Sequence, residues 1–396
     1  MRCLWLTWID PSPEHDGQRI YSGRLIHAMA STGARIEVLC ASSAGSHRRD
    51  GDLDDGAVWH LAPHTPPPPW RSIGSRLPHL AYRAASPVLR RRLADLLNQP
   101  HWDCIVFDGL AAGWAIDAVT VRRTRARGRP ALIYVSHNHE ASTRTNIALA
   151  ADSRSPRAIL QRRDARKAAE LERRLIASVD LITAITPEDA GQFQAQVAGT
   201  PILVLTPGYQ GRRLPERRIG PEVPRRAVVV GSFDWNAKQT NLREFLDAAD
   251  PLFAAAGAEI EVVGNGDPEF LDAMRAGTKA TRLVGGVPSV TPFLDNARIA
   301  IVAERLGGGF KLKILDYVFN RLPIAALHGS TAGAPLAANT SMLCFDDHAP
   351  LAKGVLAAID DLDLLNRLQR AAYDNCIDRF DWSDRGKTLT RSIAAL

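Results

Sequence analysis

Long apolar segments are missing from this chain of 396 residues. No stretch approaches the roughly 20 apolar residues that a helix needs to cross a bilayer, so the sequence predicts no membrane-spanning helix. The apolar stretch Met1–Ile9 is too short for a signal peptide and runs directly into Asp10 and Pro11. We therefore expect this stretch to form a first β-strand and the protein to remain in the cytoplasm.

Cysteine is scarce, and its spacing excludes both a disulfide framework and a thiolate metal site. The five cysteines stand singly and form no CxxC pair. They are Cys3, Cys40, Cys104, Cys344 and Cys376. We expect them to be free thiols, mostly buried, in a reducing compartment.

A complete set of metal ligands is also missing. His137, His139 and Glu140 could offer two imidazoles and a carboxylate to zinc from alternating positions of a strand. Nothing else in the sequence completes the set. We predict neither a metal ion nor another cofactor.

Negative charge is too scarce in the first half of the chain to balance its arginines. Residues 1–205 hold 26 Lys and Arg against 20 Asp and Glu, whereas residues 206–396 hold 23 of each, so the net charge of +6 lies in the first half. The clusters are Arg90–Arg92, then Arg122, Arg123, Arg125, Arg127 and Arg129, then Arg162, Arg163, Arg166 and Lys167. Such clusters fit a solvated helix face, an anionic membrane or nucleic acid. No aromatic residues alternate with the arginines and no recognition motif is present, so we predict no nucleic-acid partner.

Strand-like and helix-like segments alternate along both halves of the chain. Short apolar runs such as Leu132–Val135 are typical of buried strands, and amphipathic segments such as 156–179 are typical of helices. Prolines between 207 and 224 interrupt this pattern, which then restarts. The sequence therefore predicts an α/β protein with two doubly wound, Rossmann-like sheets that face a central cleft. We place the domains at 1–208 and 209–379, with a C-terminal helix at 380–396 that packs back on the first domain.

The glycine-rich turn at Gly307–Gly309 is the most informative feature. An apolar strand, Ala297–Ala303, precedes the turn, and a helix with Lys311 and Lys313 in its first turn is predicted to follow it. Lysine is unfavourable at the positive end of a helix dipole unless an anion shares the site. The turn therefore fits a phosphate or diphosphate site, and the alternative is a plain glycine turn with solvated lysines.

The order and spacing of several segments resemble the glycosyltransferases of the GT-B fold. The chain is most similar to the retaining glycosyltransferase family 4 (group 1) of bacterial nucleotide-sugar transferases, over nearly its whole length. The matching segments are Gly17, His137-Asn138, Asp180–Thr186, Gly231-Ser232 with Lys238, Val263–Gly266, Gly285–Pro288 and Gly307–Pro323.

The resemblance implies a donor site made mainly by the second domain. Lys238 and Lys313 would contact the diphosphate, and Val287 would hold the base through main-chain atoms. Gly17 would let backbone N–H groups approach the phosphate, and Asp316 would contact the ribose and the sugar. The implied donor-binding set is Gly17, Gly231, Ser232, Lys238, Gly264, Val287, Gly308, Gly309, Phe310, Lys311, Lys313 and Asp316, and the catalytic set is His137, Asp316 and Lys313.

His137 has two possible roles, because a histidine at a strand end is often only structural. We expect the segment His137–Glu140 to end a central strand at the edge where sites on such sheets gather. Together with the resemblance, this position favours contact between His137 and the transferred sugar.

The chain departs from the family pattern at three positions. Gly308 stands where the first of two glutamates is expected, Asp316 shortens the second, and Ser232 replaces an arginine. Lys311 or Arg305 could supply the missing positive charge.

We therefore predict a glycosyltransferase of the hexosyltransferase type. It would transfer a sugar from a UDP-sugar, with retention, to a lipid-linked, polysaccharide or small-molecule acceptor, mainly by stabilising the leaving diphosphate. Inversion stays open, with Asp16 and His137 as candidate bases. The alternative from another class is a regulatory protein that binds the nucleotide sugar without turnover.

Lipid-linked acceptors are common among similar transferases, so the resemblance also implies peripheral contact with a membrane. We expect Arg90–Arg92, together with the apolar Leu89 and Leu93, to dock on anionic lipid at the inner face of the cell membrane.

Overall fold

Parallel strands form two separate sheets, and each sheet belongs to its own unit of the chain. The computed structural model describes residues 1–64, 66–99, 101–125, 128–150 and 155–396. The first unit comprises Met1–Gly208, Gly308–Phe310 and Asp381–Leu396, and the second comprises Tyr209–Gly307 and Lys311–Phe380. The prediction of an α/β chain with two doubly wound parallel sheets is confirmed.

The first unit is built on an eight-stranded sheet. Its strands are β1 (Arg2–Ile9), β2 (Arg35–Ala41), β3 (Leu53–Asp54), β4 (Ala57–Ala62), β5 (Cys104–Asp108), β6 (Ala131–Val135), β7 (Leu181–Ala184) and β8 (Ile202–Val204). Their order is β3-β4-β2-β1-β5-β6-β7-β8, and every pair is parallel except β3 with β4. The strand order reverses between β1 and β5, and ligands of doubly wound sheets bind at the carboxyl ends beside such a reversal.

Helices cover the faces of this sheet. They are α1 (Gly17–Ala30), α2 (His79–Ala84), α3 (Pro87–Asn98), α4 (Ile116–Arg125), α5 (Glu140–Ala150), α6 (Pro156–Ile176) and α7 (Pro187–Gln194). The buried faces of the strands and helices share one core that includes Leu4, Phe107, Tyr134 and Leu171. This core fixes the strands whose carboxyl ends carry the polar residues described below.

His137–Glu140 follows the central strand β6, which ends at Val135 as predicted, and α5 begins at Glu140, so these residues do not hold the alternating strand positions that a zinc site would need. The resemblance placed Gly17 in the loop after the first strand, and this is wrong. Gly17 is the first residue of α1, and the carboxylate of Asp16 caps this helix by accepting the N–H of Arg19 at 3.0 Å.

The second unit is built on a six-stranded sheet that is parallel throughout. Its strands are β9 (Arg226–Val230), β10 (Glu259–Val263), β11 (Thr281–Gly285), β12 (Ile299–Val302), β13 (Ile324–Leu327) and β14 (Leu343–Phe345). Its helices are α8 (Asn236–Ala256), α9 (Pro268–Gly277), α10 (Thr291–Asp295), α11 (Lys313–Phe319), α12 (His348–Ala358) and α13 (Leu362–Cys376). The order β11-β10-β9-β12-β13-β14 reverses between β9 and β12.

The last helix, α14 (Trp382–Ala394), belongs to the first unit and packs against α1. The contact depends on Gly386, because a Cβ atom at this position would lie 2.1 Å from the carbonyl oxygen of Ala28. The hydroxyls of Thr32 and Thr390 lie 3.0 Å apart beside it. Any side chain at 386 would therefore separate the two helices.

Glu172 of α6 is a buried carboxylate that contacts the start of α5. It accepts hydrogen bonds from the main-chain N–H groups of Glu140 (3.1 Å) and Ala141 (2.8 Å) and from the hydroxyl of Tyr134 (3.1 Å). Burial nevertheless raises the pKa of Glu172 to about 7. The folded protein thus holds a proton on a side chain that ionises near pH 4.5 when it is exposed.

We expect this proton to make stability fall as the pH rises. Because the folded pKa lies above the unfolded one, the contribution is fully present below pH 4.5 and is lost as the pH rises through 7. Glu172→Gln, which cannot ionise, should therefore gain about 3 kcal/mol relative to wild type between pH 4.5 and 7. Urea unfolding across this range measures the effect, with the exposed Glu170→Gln as a control. Parallel pH profiles for wild type and Glu172→Gln would contradict it.

Candidate functional site

A cavity of about 330 Å³, open to solvent, lies in the second unit where its strand order reverses. It is lined by Val229, Gly231, Ser232, Phe233, Lys238, Asn241, Leu242, Phe245, Ala303, Glu304 and Lys313. The structure thus brings together four of the predicted donor-binding residues, Gly231, Ser232, Lys238 and Lys313. Gly231 follows β9 and Lys238 lies in the first turn of α8.

A buried carboxylate that sequence reasoning missed, Glu304, lies at the centre of these lysines. Lys313 Nζ pairs with Glu304 Oε1 and also donates to the main-chain oxygen of Val230 at 2.9 Å. Burial alone would raise the pKa of Glu304, but Lys313, Lys311 and Lys238 together hold it below its ordinary value. The cavity is therefore lined by two lysines and one ionised carboxylate, and Lys311 adds its charge from nearby. The only signal in the sequence was an acidic residue just after the apolar strand β12.

Asn241 of α8 fixes the segment that leads from β12 into the glycine-rich turn. Its buried side chain accepts the N–H groups of Arg305 (3.1 Å) and Leu306 (3.0 Å) and donates to the carbonyl oxygen of Leu306 (2.8 Å). This satisfies main-chain groups that have no regular secondary structure. No pattern in the sequence indicated this role, because an asparagine within a helix is ordinarily solvent-facing.

The lysine helix is shorter than predicted. Helix α11 begins at Lys313, with Leu312 as its N-cap, so Lys311 precedes the helix and does not lie in its first turn. The glycine-rich turn cannot be part of the helix, because Gly307 and Gly309 have φ angles of +118° and +70°.

Glycine is required at 264, beside the cavity. Gly264 has a φ of +144°, and a Cβ atom there would lie 1.6 Å from the carbonyl oxygen of Gly231. The loops after β9 and β10 can approach each other this closely only with glycine at 264. Ser232 next to Gly231 donates its hydroxyl to Asp234 at 2.8 Å.

Two other residues of the predicted donor set lie elsewhere in the second unit. Val287 follows β11 and is partly buried. Asp316 in α11 accepts a hydrogen bond from the hydroxyl of Tyr209 at 3.1 Å, and burial raises its pKa to about 6. Neither is among the described residues that line the cavity.

Gly308, Gly309 and Phe310 belong to the first unit. A Cβ atom at Gly308 would lie 2.3 Å from the hydroxyl of Thr143, and one at Gly309 would lie 2.4 Å from the carbonyl oxygen of His137. A glutamate at 308 would require the Thr143 side chain to move. The glycine at this position thus allows the close contact with Thr143.

His137 is held by Asp108 at the reversal of the first sheet. Asp108 ends β5 and is fully buried; its Oδ1 lies 2.6 Å from His137 Nε2, and its Oδ2 accepts the indole N–H of Trp5 at 2.9 Å. The ring of Tyr21 meets the imidazole edge-on at 5.4 Å. This pairing orients the imidazole and leaves Nδ1 without a protein partner among the described residues. Asp108 was missed, although an acidic residue at the end of a buried strand was a usable signal.

His139 has a structural role instead. It is buried, with Nδ1 2.7 Å from the hydroxyl of Ser142 and Nε2 2.6 Å from the side-chain nitrogen of Gln196. Both imidazole nitrogens are therefore occupied within the protein. Within the part of the chain that the structure describes, no cluster of three His, Cys, Asp or Glu residues could hold a metal ion.

The prediction that Leu89 and Leu93 dock on a membrane is wrong. Leu89 and Leu93 are only 2% and 1% exposed, because they form the inward face of α3. Arg92 binds both carboxylate oxygens of Asp50, and Arg90 lies over the ring of Trp114 at 5.3 Å. Across the described ranges, no helix has the length and apolar character that spanning a membrane requires.

Of the arginine cluster predicted at 122–129, Arg127 lies outside the described residues. Arg123 in the same cluster pairs with Asp180, and Arg122 donates to the carbonyl oxygen of Leu97 at 2.8 Å. These two arginines serve the packing of the first unit.

Comparison with known proteins identifies the fold. No protein-family model and no curated protein matches the sequence. Sucrose-phosphate synthase from Thermosynechococcus elongatus superposes with a TM-score of 0.73 at 14% identity, over 100% of this chain and 99% of that one. HepE from Anabaena in complex with UDP-glucose gives 0.65 at 14% identity over 100% of both chains. WaaG, a glycosyltransferase involved in lipopolysaccharide biosynthesis, gives 0.62 at 14% identity over 99% of both chains. The chain therefore has the GT-B fold.

Proposed function

We propose that the protein is a glycosyltransferase that uses a nucleotide-diphosphate sugar, preferably a UDP-sugar. The observation that carries the proposal is the cavity at the reversal of the second sheet, where Lys238, Lys311 and Lys313 surround Glu304. The fold is one shared by solved glycosyltransferases, and HepE of that fold binds UDP-glucose. These similarities support nucleotide-sugar chemistry.

The charges of the cavity favour a diphosphate. The lysines that act electrostatically on Glu304 outnumber it, and the negative charges of a diphosphate ester suit this positive potential. Lys313 already directs two hydrogen bonds to Glu304 and Val230, so one N–H remains for a phosphate oxygen. The same groups would stabilise the leaving diphosphate as its charge develops.

Thermal unfolding with a panel of nucleotides tests the donor site. We expect UDP to raise the unfolding temperature more than uridine at the same concentration, because only UDP carries the diphosphate. Saturation at 100 times the dissociation constant would stabilise the protein by about 2.7 kcal/mol. GDP, ADP and CDP extend the panel to other bases. If none of the diphosphates raises the unfolding temperature at millimolar concentration, the proposed site is wrong.

A binding or regulatory protein is the second candidate. The observation that favours it is Gly308, which packs against Thr143 and lacks the carboxylate of the family pattern. Such a protein would bind the nucleotide sugar without releasing the nucleotide. We favour the enzyme, because the oriented His137–Asp108 pair is a reactive arrangement that mere binding would not require.

We propose that the sugar is transferred with retention. The lysines around Glu304 act on the leaving group, and the candidate base Asp16 is already occupied in capping α1 and pairing with Arg19. A donor with an α-linked sugar should therefore give an α-linked product. Proton NMR of the anomeric signal in the first product formed measures this. A β-linkage would overturn retention and leave His137, oriented by Asp108, as the leading base.

We also propose peripheral contact between the first unit and an anionic membrane, at a surface different from α3. Trp70, Ile159 and Leu160 are 65%, 61% and 45% exposed, and the exposed Arg163 and Arg166 follow on α6. Large exposed apolar side chains beside cations suit the headgroup region of anionic lipid.

The turn that carries Trp70 is tied to the same helix. Lys167 of α6 donates to the carbonyl oxygens of Ser72 at 2.8 Å and Ile73 at 3.1 Å. The exposed indole and the arginines of α6 are thus parts of one surface.

Vesicle flotation tests this surface. We expect the protein to float with phosphatidylglycerol vesicles at low salt and to be released at high salt, because each arginine at such a surface is worth about 1 kcal/mol. Trp70→Ser and the pair Arg163→Gln/Arg166→Gln should each weaken flotation, whereas the ion-paired Arg92→Gln should not. Wild-type protein that stays at the bottom of the gradient at low salt would indicate a soluble acceptor.

A further inference from the structure

One face of α8 forms a wall of the cavity in the second unit. Lys238, Leu242 and Phe245 all line the cavity and follow each other at helical spacings of four and three residues. Exposure rises toward the start of the helix, since Phe245 is fully buried, Leu242 is 3% exposed and Lys238 is partly exposed. This face therefore runs from the floor of the cavity to its mouth.

Trp235 continues this face by another three residues and stands at its exposed end. It is the N-cap residue of α8, the only tryptophan in the sequence of the second unit, and 53% exposed. Its indole forms no hydrogen bond, ring contact or cation contact with any described residue. A single exposed apolar side chain is common and needs no explanation by itself. At the mouth of a polar cavity, however, an exposed indole is a surface on which a ligand can stack.

The main chain that carries Trp235 is held on both sides. The N–H of Phe233 donates to the carbonyl oxygen of Asn265 at 2.6 Å, and the carbonyl oxygen of Phe233 accepts the side-chain amide of Gln239 at 2.9 Å. The carbonyl oxygen of Trp235 accepts the N–H of Gln239 at 3.0 Å. Because this segment is already ordered, a ligand that stacks on the indole has little main-chain entropy to remove.

Polar side chains flank the indole. Asp234 and Asn236 are both exposed, and Asp234 Oδ2 accepts the hydroxyl of Ser232 at 2.8 Å. The other oxygen of Asp234 accepts no hydrogen bond from the described residues. A carboxylate only accepts, and an asparagine amide both donates and accepts. An aromatic surface beside such groups suits a pyranose, which has C–H groups on its face and hydroxyls around its rim.

The closeness of Trp235 to Lys238 favours the sugar of a nucleotide sugar over its base. Lys238 is one of the lysines proposed to meet the diphosphate, and Trp235 precedes it by three residues, or about 4.5 Å along the helix axis. The sugar is bonded directly to the diphosphate, whereas the ribose separates the base from it. Uracil also offers only one N–H donor to a carboxylate, whereas a pyranose offers several hydroxyl donors to Asp234.

We propose that Trp235 stacks on the pyranose ring of the nucleotide-sugar donor and that Asp234 accepts hydrogen bonds from its hydroxyls. The inference rests on the proposed transferase function and deepens it, because it names the residues of the second unit that recognise the sugar. Neither residue is required for the diphosphate or the base.

Calorimetric titration tests this by comparing a nucleotide diphosphate with its sugar esters. The pairs are UDP with UDP-glucose, UDP-galactose and UDP-N-acetylglucosamine, and GDP with GDP-mannose. For the pair that binds wild type, Trp235→Ala should weaken the sugar ester about 2- to 10-fold, the range for one aromatic contact, and change the affinity of the diphosphate less than twofold. Trp235→Phe should keep most of the sugar affinity, because a phenyl ring can still stack. The control is Leu53→Ala, which removes a side chain that is 74% exposed in the first unit and should alter neither affinity.

Fluorine NMR of protein labelled with fluorotryptophan reports on the indole directly. The chain has eight tryptophans, and the signal that Trp235→Phe removes belongs to Trp235. This signal should shift when the sugar ester is added and should shift much less with the diphosphate alone.

Two results would overturn the sugar contact and leave the nucleotide-sugar site intact. One is an equal loss of affinity for the diphosphate and the sugar ester in Trp235→Ala, which would place the indole against the nucleotide. The other is an unchanged affinity for the sugar ester in the same variant. If wild type binds none of the nucleotides or sugar esters, the proposed donor site and this inference fail together.

Discussion

Replacing Lys313 by alanine should cost about 3–5 kcal/mol of unfolding free energy, because it leaves the buried carboxylate of Glu304 without its closest counter-ion. The same variant should lose affinity for UDP by about 1.5–3 kcal/mol, the range for a hydrogen bond to a charged group. Urea unfolding and calorimetric titration with UDP measure the two effects separately.

The double variant Lys313→Ala/Glu304→Gln distinguishes the two roles of Lys313. Removing both charges of a buried pair is often neutral for stability, so we expect unfolding free energy to recover. The net charge of the cavity stays as in wild type, since one cation and one anion are removed together. UDP affinity should nevertheless remain low. A double variant that binds UDP as wild type does would mean that Lys313 only neutralises Glu304.

Replacing His137 by alanine should lower kcat about 100-fold while changing UDP affinity less than twofold. The size of the kcat effect is that of removing one oriented catalytic hydrogen-bonding group. UDP affinity should be spared because the lysines proposed to bind the diphosphate belong to the second unit and His137 belongs to the first. Steady-state kinetics and calorimetric titration separate the two quantities.

Asp108→Asn should reproduce much of the loss in kcat. Asp108 orients the imidazole, and a neutral amide cannot stabilise a positive charge on it as the carboxylate does. The control is His139→Asn, which removes a histidine whose two nitrogens are occupied within the protein and should affect stability instead of kcat. If His137→Ala turns over as fast as wild type, the role of His137 is purely structural.

Alternation of apolar strands and amphipathic helices was sufficient to predict both sheets from the sequence. The common location of Gly231, Lys238 and Lys313 came instead from the resemblance to the GT-B family. The spacing of Leu89, Leu93, Leu96 and Leu97 is that of an inward helix face, which the membrane hypothesis overlooked.

The rest depended on contacts between distant residues that local patterns do not encode. Asn241 pairs with main-chain groups 64 and 65 residues away, and Asp108 orients a histidine 29 residues away. The start of α11 was misplaced because glycine φ angles, and not helix propensity, decide where the helix can begin. Glu304 was missed because a single acidic residue at a strand end has no distinctive spacing.

Release of nucleotide from a sugar donor tests the account most directly. UDP-glucose, UDP-galactose, UDP-N-acetylglucosamine and GDP-mannose would each be incubated with wild type, His137→Ala and Lys313→Ala/Glu304→Gln, and free nucleotide would be quantified. We expect wild type to release nucleotide from at least one UDP-sugar, and both variants to release much less. Binding of a donor without any release would instead identify a regulatory protein, and neither binding nor release of any donor would contradict the nucleotide-sugar site itself.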